Sequence, residues 1–220
     1  MGDVEEIVKL EALFSKNGYD GSYPGFTIEP GVLPILISAP HAVNHWRGCA
    51  LKPAEVYTGG IARWLNKKWG CHVIYASGFC IEDANNGGRK YQEAIKEYCK
   101  RNKIRFVIDL HGAKKNRDYD VEMGTCGDDD PSLGSCKWIA DVVTEEVEEW
   151  LGVVVKNEVF AAKEHETVTR SLVGVVPCLQ LEVNKKWREA ERLGEFVGCL
   201  ERILDRIYNE MVLEELWRKG

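Results

Sequence analysis

Ile104-Arg105-Phe106-Val107-Ile108-Asp109-Leu110-His111-Gly112 is the stretch on which the fold turns. A largely apolar run of strand length, without alternation of polar residues, reads as a strand covered on both faces. That is the usual state of a central strand in a parallel sheet. The run ends at a histidine two residues beyond a carboxylate. In open α/β sheets, ligands bind at the carboxyl ends of such strands. Two further stretches have the same shape: Leu33-Pro34-Ile35-Leu36-Ile37-Ser38-Ala39-Pro40-His41 and Val175-Val176-Pro177-Cys178-Leu179-Gln180-Leu181-Glu182. Three apolar strands of one sheet would deliver His41, His111 and Glu182 to one edge.

Outward from these strands, the pattern alternates. Val4 to Phe14 reads as a short amphipathic helix and Gly25 to Ile28 as a short strand. Leu33 to Ser38 is a strand, followed by a helix from Pro53 to about Trp69, with proline suited to its first turn. Cys71 to Ala76 is the next strand. In Arg89 to Arg101, the residues Tyr91, Ala94, Ile95, Tyr98 and Cys99 recur at helical spacing. Val121 to Thr125 is a strand, Asp128 to Ser132 a turn, Cys136 to Leu151 a helix and Val153 to Lys156 a short strand. Leu193 to Tyr208 is a long final helix. Such alternation predicts the α/β class: a three-layer α/β/α sandwich around a mixed, largely parallel sheet. A chain of 220 residues fits one domain, residues 1–220, with no internal repeat or linker.

Composition narrows the function classes. Apolar residues make up 45% and charged residues 29%, as in ordinary globular proteins. The net charge of -6 argues against a nucleic-acid partner, which needs a basic face. It leaves a small anionic substrate open, because that responds to local charge. No apolar run approaches the ~18 residues of a membrane helix, so no membrane partner is expected. The eight cysteines are scattered without a C-x-x-C pair, mostly in apolar surroundings, and the opening Met1 to Glu6 is acidic without an apolar core. Reduced, buried thiols in a cytoplasmic protein are the expectation.

Neutral imidazole is a common zinc ligand, and catalytic zinc takes three protein ligands plus water. His41 and His111 supply two; each alone also reads as a strand-end hydrogen-bonding group. For the third, Glu55 falls in the first turn of the helix after the His41 loop, where a carboxylate also suits the helix dipole. His45 competes with it, and Asn44 is a weaker choice. Glu182, at the mouth of an apolar strand, suits a general base, or pairs with Lys185, Lys186 or Arg188. Asp109 shares a strand face with His111 and suits a supporting role. In Glu82-Asp83-Ala84-Asn85-Asn86-Gly87-Gly88-Arg89, a guanidinium at Arg89 could grip a carboxylate in a bidentate pair, while Asp83 reads equally as a turn cap. Lys163 to Arg170, which contains Thr167, is a polar segment suited to a lid over substrate. No G-x-S-x-G elbow, Walker loop or dinucleotide fingerprint is present.

Taken in order, S-A-P-H at Ser38 to His41, the D-x-N-like loop ending at Arg89, D-L-H-G at Asp109 to Gly112 and Q-L-E-V-N at Gln180 to Asn184 resemble the N-formylglutamate amidohydrolase family. The resemblance spans about Leu33 to Arg188. It implies a zinc-carboxypeptidase- or aspartoacylase-like hydrolase fold, Zn2+ as cofactor, His41 and His111 as zinc ligands and Glu182 as catalytic base. Relatives in the wider fold carry a glutamate three residues after the first histidine. Here that position is Asn44, and the ligand role passes to Glu55. The loop implies substrate contacts from Asn85 or Asn86 and from Arg89, with Thr167 beside them. The implied activity is cleavage of a C–N amide bond in a small N-acyl amino acid. A peptidase or poly-glutamate hydrolase on the same fold is the first alternative. A non-catalytic binding protein is the second, and it rests on Asn44 and the displaced Arg89.

Overall fold

The computed structural model describes residues 2–15, 25–78, 83–85, 89–163 and 166–219. Nine strands and six helices follow in the order α1 (Gly2–Ser15), β1 (Phe26–Glu29), β2 (Ile35–Ala39), β3 (His45–Arg47), β4 (Ala50–Lys52), α2 (Thr58–Trp69), β5 (His72–Ala76), α3 (Arg89–Asn102), β6 (Phe106–Ala113), β7 (Val121–Gly124), α4 (Trp138–Trp150), β8 (Val154–Lys156), α5 (Val168–Ser171), β9 (Cys178–Asn184) and α6 (Leu193–Lys219) among the described residues. Seven strands form one sheet in the order β1-β5-β2-β6-β9-β7-β8. Its centre, β5-β2-β6-β9, is parallel. β1 joins β5 antiparallel, β7 joins β9 antiparallel, and β8 runs parallel to β7. β3 and β4 form a separate hairpin. The fold is the expected three-layer α/β/α sandwich with a mixed, largely parallel sheet.

The two-residue period of a strand divides the sheet into unlike faces. Ile35, Ile37, Ile108, Leu110, Leu179, Leu181, Val121 and Met123 point into the larger core, beneath α1, α2, α4 and α6. Leu36, Ile74, Val107 and Cys178 point to the smaller core, beneath α3 and α5. Farther along the strands, that second face changes character. Ser38, Asp109, His111, Gln180, Glu182 and Glu122 are polar and buried there. The apolar face anchors the strands while the opposite face carries the chemistry.

Three expectations need correction. β6 continues to Ala113 and β9 to Asn184, so His111 and Glu182 sit inside strands, paired in register, instead of at their ends. Antiparallel β7 extends the ladder past them by pairing with Met123↔Leu181 and Val121↔Val183. The helix expected from Pro53 begins only at Thr58. Tyr57 adopts a left-handed conformation (φ 73°) that right-handed helix cannot pass through. Glu55 therefore belongs to a loop and not to a first helical turn. The seven cysteines among the described residues are all unpaired. No helix among the described residues is long and apolar enough to cross a membrane.

Candidate active site

β2 delivers His41 two residues past its end, and β6 delivers His111 from within. The Glu55 loop is fastened to the His41 loop twice: the Glu55 amide donates to the His41 carbonyl (2.9 Å) and the Ala54 amide to the Asn44 side-chain oxygen (2.8 Å). Asn44 thus serves as a strut that holds the loop carrying Glu55. Gly112 completes the arrangement by donating its amide to Glu55 Oε2 (2.9 Å).

Two imidazole nitrogens and the two oxygens of one carboxylate converge as a result. His41 Nδ1 lies 2.9 Å from Glu55 Oε1, His111 Nδ1 lies 3.3 Å from Glu55 Oε2, and the two Nδ1 atoms are 3.2 Å apart. In a tetrahedral zinc site with bonds of about 2.0–2.1 Å, ligand atoms stand about 3.3 Å from one another. The separations, with one carboxylate oxygen facing each histidine, are of the size of such edges, and one ligand atom from each residue lies within 4.8 Å of the others. The rings of His41 and His111 cross at 72°, so their in-plane lone pairs can aim at a common point.

A second cluster, His41, His45 and Asp83, is also compact enough to suggest a metal, but its geometry is unsuitable. His41 and His45 stack with centroids 4.1 Å apart and planes within 7°. Stacked rings confine their in-plane lone pairs to two separate, nearly parallel planes, which do not meet at one ion. Asp83 has a different use. Its Oδ1 lies 2.8 Å from His41 Nε2. An ionised carboxylate only accepts, so Nε2 carries a proton toward Asp83, and Nδ1, which faces Glu55, is the nitrogen that would offer its lone pair to a cation taking the place of a proton there. Arg47 donates to the other oxygen of Asp83.

Asp109 stands behind His111 in the same way, with Oδ2 3.4 Å from His111 Nε2, a separation that is an ion pair and not a hydrogen bond. Ser38 and Thr169 donate to Asp109 (2.9 and 3.1 Å) and fix it.

The charges of the site are coupled. Burial would raise the pKa of Glu55, but the adjacent His41 and His111 hold it well below the usual carboxylate range. Burial opposes the imidazolium of His111, yet Asp109 and Glu55 outweigh it and hold that histidine well above its ordinary value. His41 is raised too, with burial again outweighed by Glu55 and Asp83. His45 is pushed down to about 4, by burial and then by His41. Glu182, paired in register with His111 and accepting from Gln180 Nε2 (3.2 Å), is pushed up to about 7. Burial is the main cause, opposed by His111 and reinforced by Glu55. Neither Lys186 nor Arg188 pairs with it: Lys186 reaches Asp120, and Arg188 binds main-chain carbonyls.

The remaining expected residues are more dispersed. Arg89 opens α3 in an exposed position. Asn86 lies outside the described residues, as do Glu164 and His165. Thr167 caps α5, its hydroxyl accepting from the Arg170 amide (3.1 Å). Asn85 ties this segment to the Asp83 loop by accepting from the Val168 amide (2.9 Å). Sequence reasoning offered Arg188 only as a cation partner for Glu182, gave Gln180 and Arg47 no role of their own, and left Asp83 as a turn cap. Asp83 does accept from the Asn85 amide (3.1 Å), so it fills both roles. Its place after β5, at the carboxyl edge of the sheet, was the available signal.

No family model matches the chain, and no curated protein matches it by sequence. Solved structures do match. N-formylglutamate amidohydrolase from Ralstonia eutropha JMP134 superposes with a TM-score of 0.63 at 15% identity, covering 84% of this chain and 97% of that one. A gene product of Agrobacterium tumefaciens gives 0.63 at 12% identity, covering 90% and 99%. A bacteriophage poly-gamma-glutamate hydrolase gives 0.54 at 13% identity, covering 86% and 92%. The chain therefore has the fold of the N-formylglutamate amidohydrolase structure, along nearly the whole length of both.

Proposed function

We propose that this protein is a zinc-dependent amidohydrolase that cleaves the C–N bond of a small N-acyl amino acid such as N-formylglutamate. The convergence of His41 Nδ1, Glu55 and His111 Nδ1 beside Glu182 carries the reading. Likeness of fold to an N-formylglutamate amidohydrolase supports it. The donor set, two imidazoles and a carboxylate, suits zinc at a site with an open position. Bound there, zinc would supply Lewis acidity, polarising the scissile carbonyl and easing the ionisation of water.

The rest of the work belongs to the chain. Glu182 takes a proton from the attacking water and returns it to the departing nitrogen. Gln180 holds the carboxylate of Glu182 by one oxygen, which fixes its direction. Asp83 and Asp109 keep His41 and His111 oriented. Arg47, with its side chain 43% exposed beside His41 and Asp83, offers a guanidinium at the rim for a substrate carboxylate. Arg89 keeps that role only if its exposed side chain reaches across.

Elemental analysis of purified protein, with His111→Ala alongside, tests the reading. About one zinc per chain, absent from the variant, is expected. Hydrolysis assays then compare N-formyl-, N-acetyl- and N-succinylglutamate with γ-linked glutamate oligomers. Cleavage of oligomers alone would move the function to a poly-glutamate hydrolase. Failure of both proteins to take up zinc would overturn the proposal and favour a binding protein.

A further inference from the structure

Arg188 is 5% exposed, an uncommon position for a guanidinium, because burying a charge is costly unless it is well partnered. It arrives there by local structure. β9 ends at Asn184, whose side chain accepts from the Lys186 amide (3.0 Å) and caps a single 3-10 turn, Lys185–Arg188. Within that turn Trp187 Nε1 donates to Asp120 Oδ1 (2.6 Å), which fastens its outer side. Arg188 is thereby turned back beneath the sheet.

Its donors are spread over three segments. Nε donates to the Val183 carbonyl (3.1 Å), one Nη to the Ala113 carbonyl (3.1 Å) and the other Nη to the Val56 carbonyl. Val183 follows Glu182, Val56 follows Glu55, and Ala113 lies two residues after His111. Each segment that bears one of these three side chains is thus held by one arm of a single planar group. Gly112 makes room: a Cβ there would stand 2.4 Å from the guanidinium carbon. The nearby carboxylates Glu55, Glu182 and Glu11 offset the burial of the charge.

We propose that Arg188 is a positioning residue that locks the Glu55, His111 and Glu182 segments into the spacing needed to hold a metal. The inference rests on the zinc reading above. Lysine lacks the fixed fork of a guanidinium, so Arg188→Lys keeps the charge and loses the geometry, whereas Arg188→Met loses both.

The test measures zinc affinity by competition with a chromophoric chelator, and the visible absorption of cobalt(II)-substituted protein. Far-UV circular dichroism monitors the fold. Groups that orient metal ligands from behind typically contribute 10–100-fold to affinity. Both variants are expected to fold and to bind zinc at least about tenfold more weakly, with an altered cobalt spectrum and with lysine intermediate. Unchanged affinity and spectrum would overturn the proposal. Loss of folding in both variants would overturn it equally, because Arg188 would then support the whole sheet and not the site. Wild-type protein that binds no zinc would defeat the metal reading and this inference together, an outcome distinct from either.

Discussion

His41 turns one ring nitrogen toward each of two carboxylates, and in the metal-free site it competes with His111 for protons. Both histidines have raised pKa values, because neighbouring carboxylates favour the imidazolium, so protons and a metal compete for the same nitrogens. Zinc binding should release protons, and affinity should fall as pH is lowered. An indicator dye in weak buffer measures the release; uptake without release would contradict the assignment of these nitrogens. Replacing Glu182 by glutamine should leave zinc content intact and lower kcat by about 10²–10⁴-fold, the usual contribution of a positioned acid–base group. Elsewhere, His72 Nδ1 accepts from the Gly31 amide (3.1 Å) and faces the Tyr98 hydroxyl (2.8 Å). That nitrogen must therefore be unprotonated, and burial lowers its pKa. An unfolded histidine takes up its proton near 6.5. Below that pH the unfolded chain gains a proton that folded His72 resists, so stability should fall with acidification and be complete above it. Melting curves from pH 7.5 to 5 should show the loss, and His72→Asn should reduce it.

Among the elements, the four-residue α5 is tied to its surroundings at successive residues. Thr167 caps it, Val168 binds Asn85, and Thr169 supports Asp109. Thr167→Ala should cost about 1 kcal/mol, the usual loss of an N-cap, with KM unchanged. A raised KM would give Thr167 a direct contact with substrate. The three apolar strands were legible because a buried strand needs nothing but its own residues to announce itself. Glu55 was harder. Its conformation depends on the left-handed Tyr57 and on two hydrogen bonds to the His41 loop, none of which leaves a local pattern, so the sequence placed this carboxylate on the wrong element. Arg188 was legible only as a cation partner for Glu182 and not in its inward course, since an arginine is ordinarily a surface residue and the 3-10 turn sends it inward.

On the scale of the molecule, the parallel centre of the sheet follows from the alternation of strands and helices. The insertion of β7 antiparallel against β9 does not, because the pairing joins segments far apart in the chain. A ligand that binds only the folded state stabilises it by mass action, by about 2.7 kcal/mol at a hundredfold excess over Kd. For a protein of this size, that corresponds to a rise in Tm of roughly 5–10 °C. Calorimetry should show the rise with zinc, its reversal by a chelator and its absence in His111→Ala. The pairing of β6 with β9 has a kinetic consequence as well. His111 and Glu182 meet only when two strands separated in the chain by β7, α4, β8 and α5 have closed into register, and such distant parallel closures are slow. During refolding, helical signal should return before zinc-binding capacity does. The metal would then act as a clock for the last native contact, marking the moment at which the sheet has its final strand order.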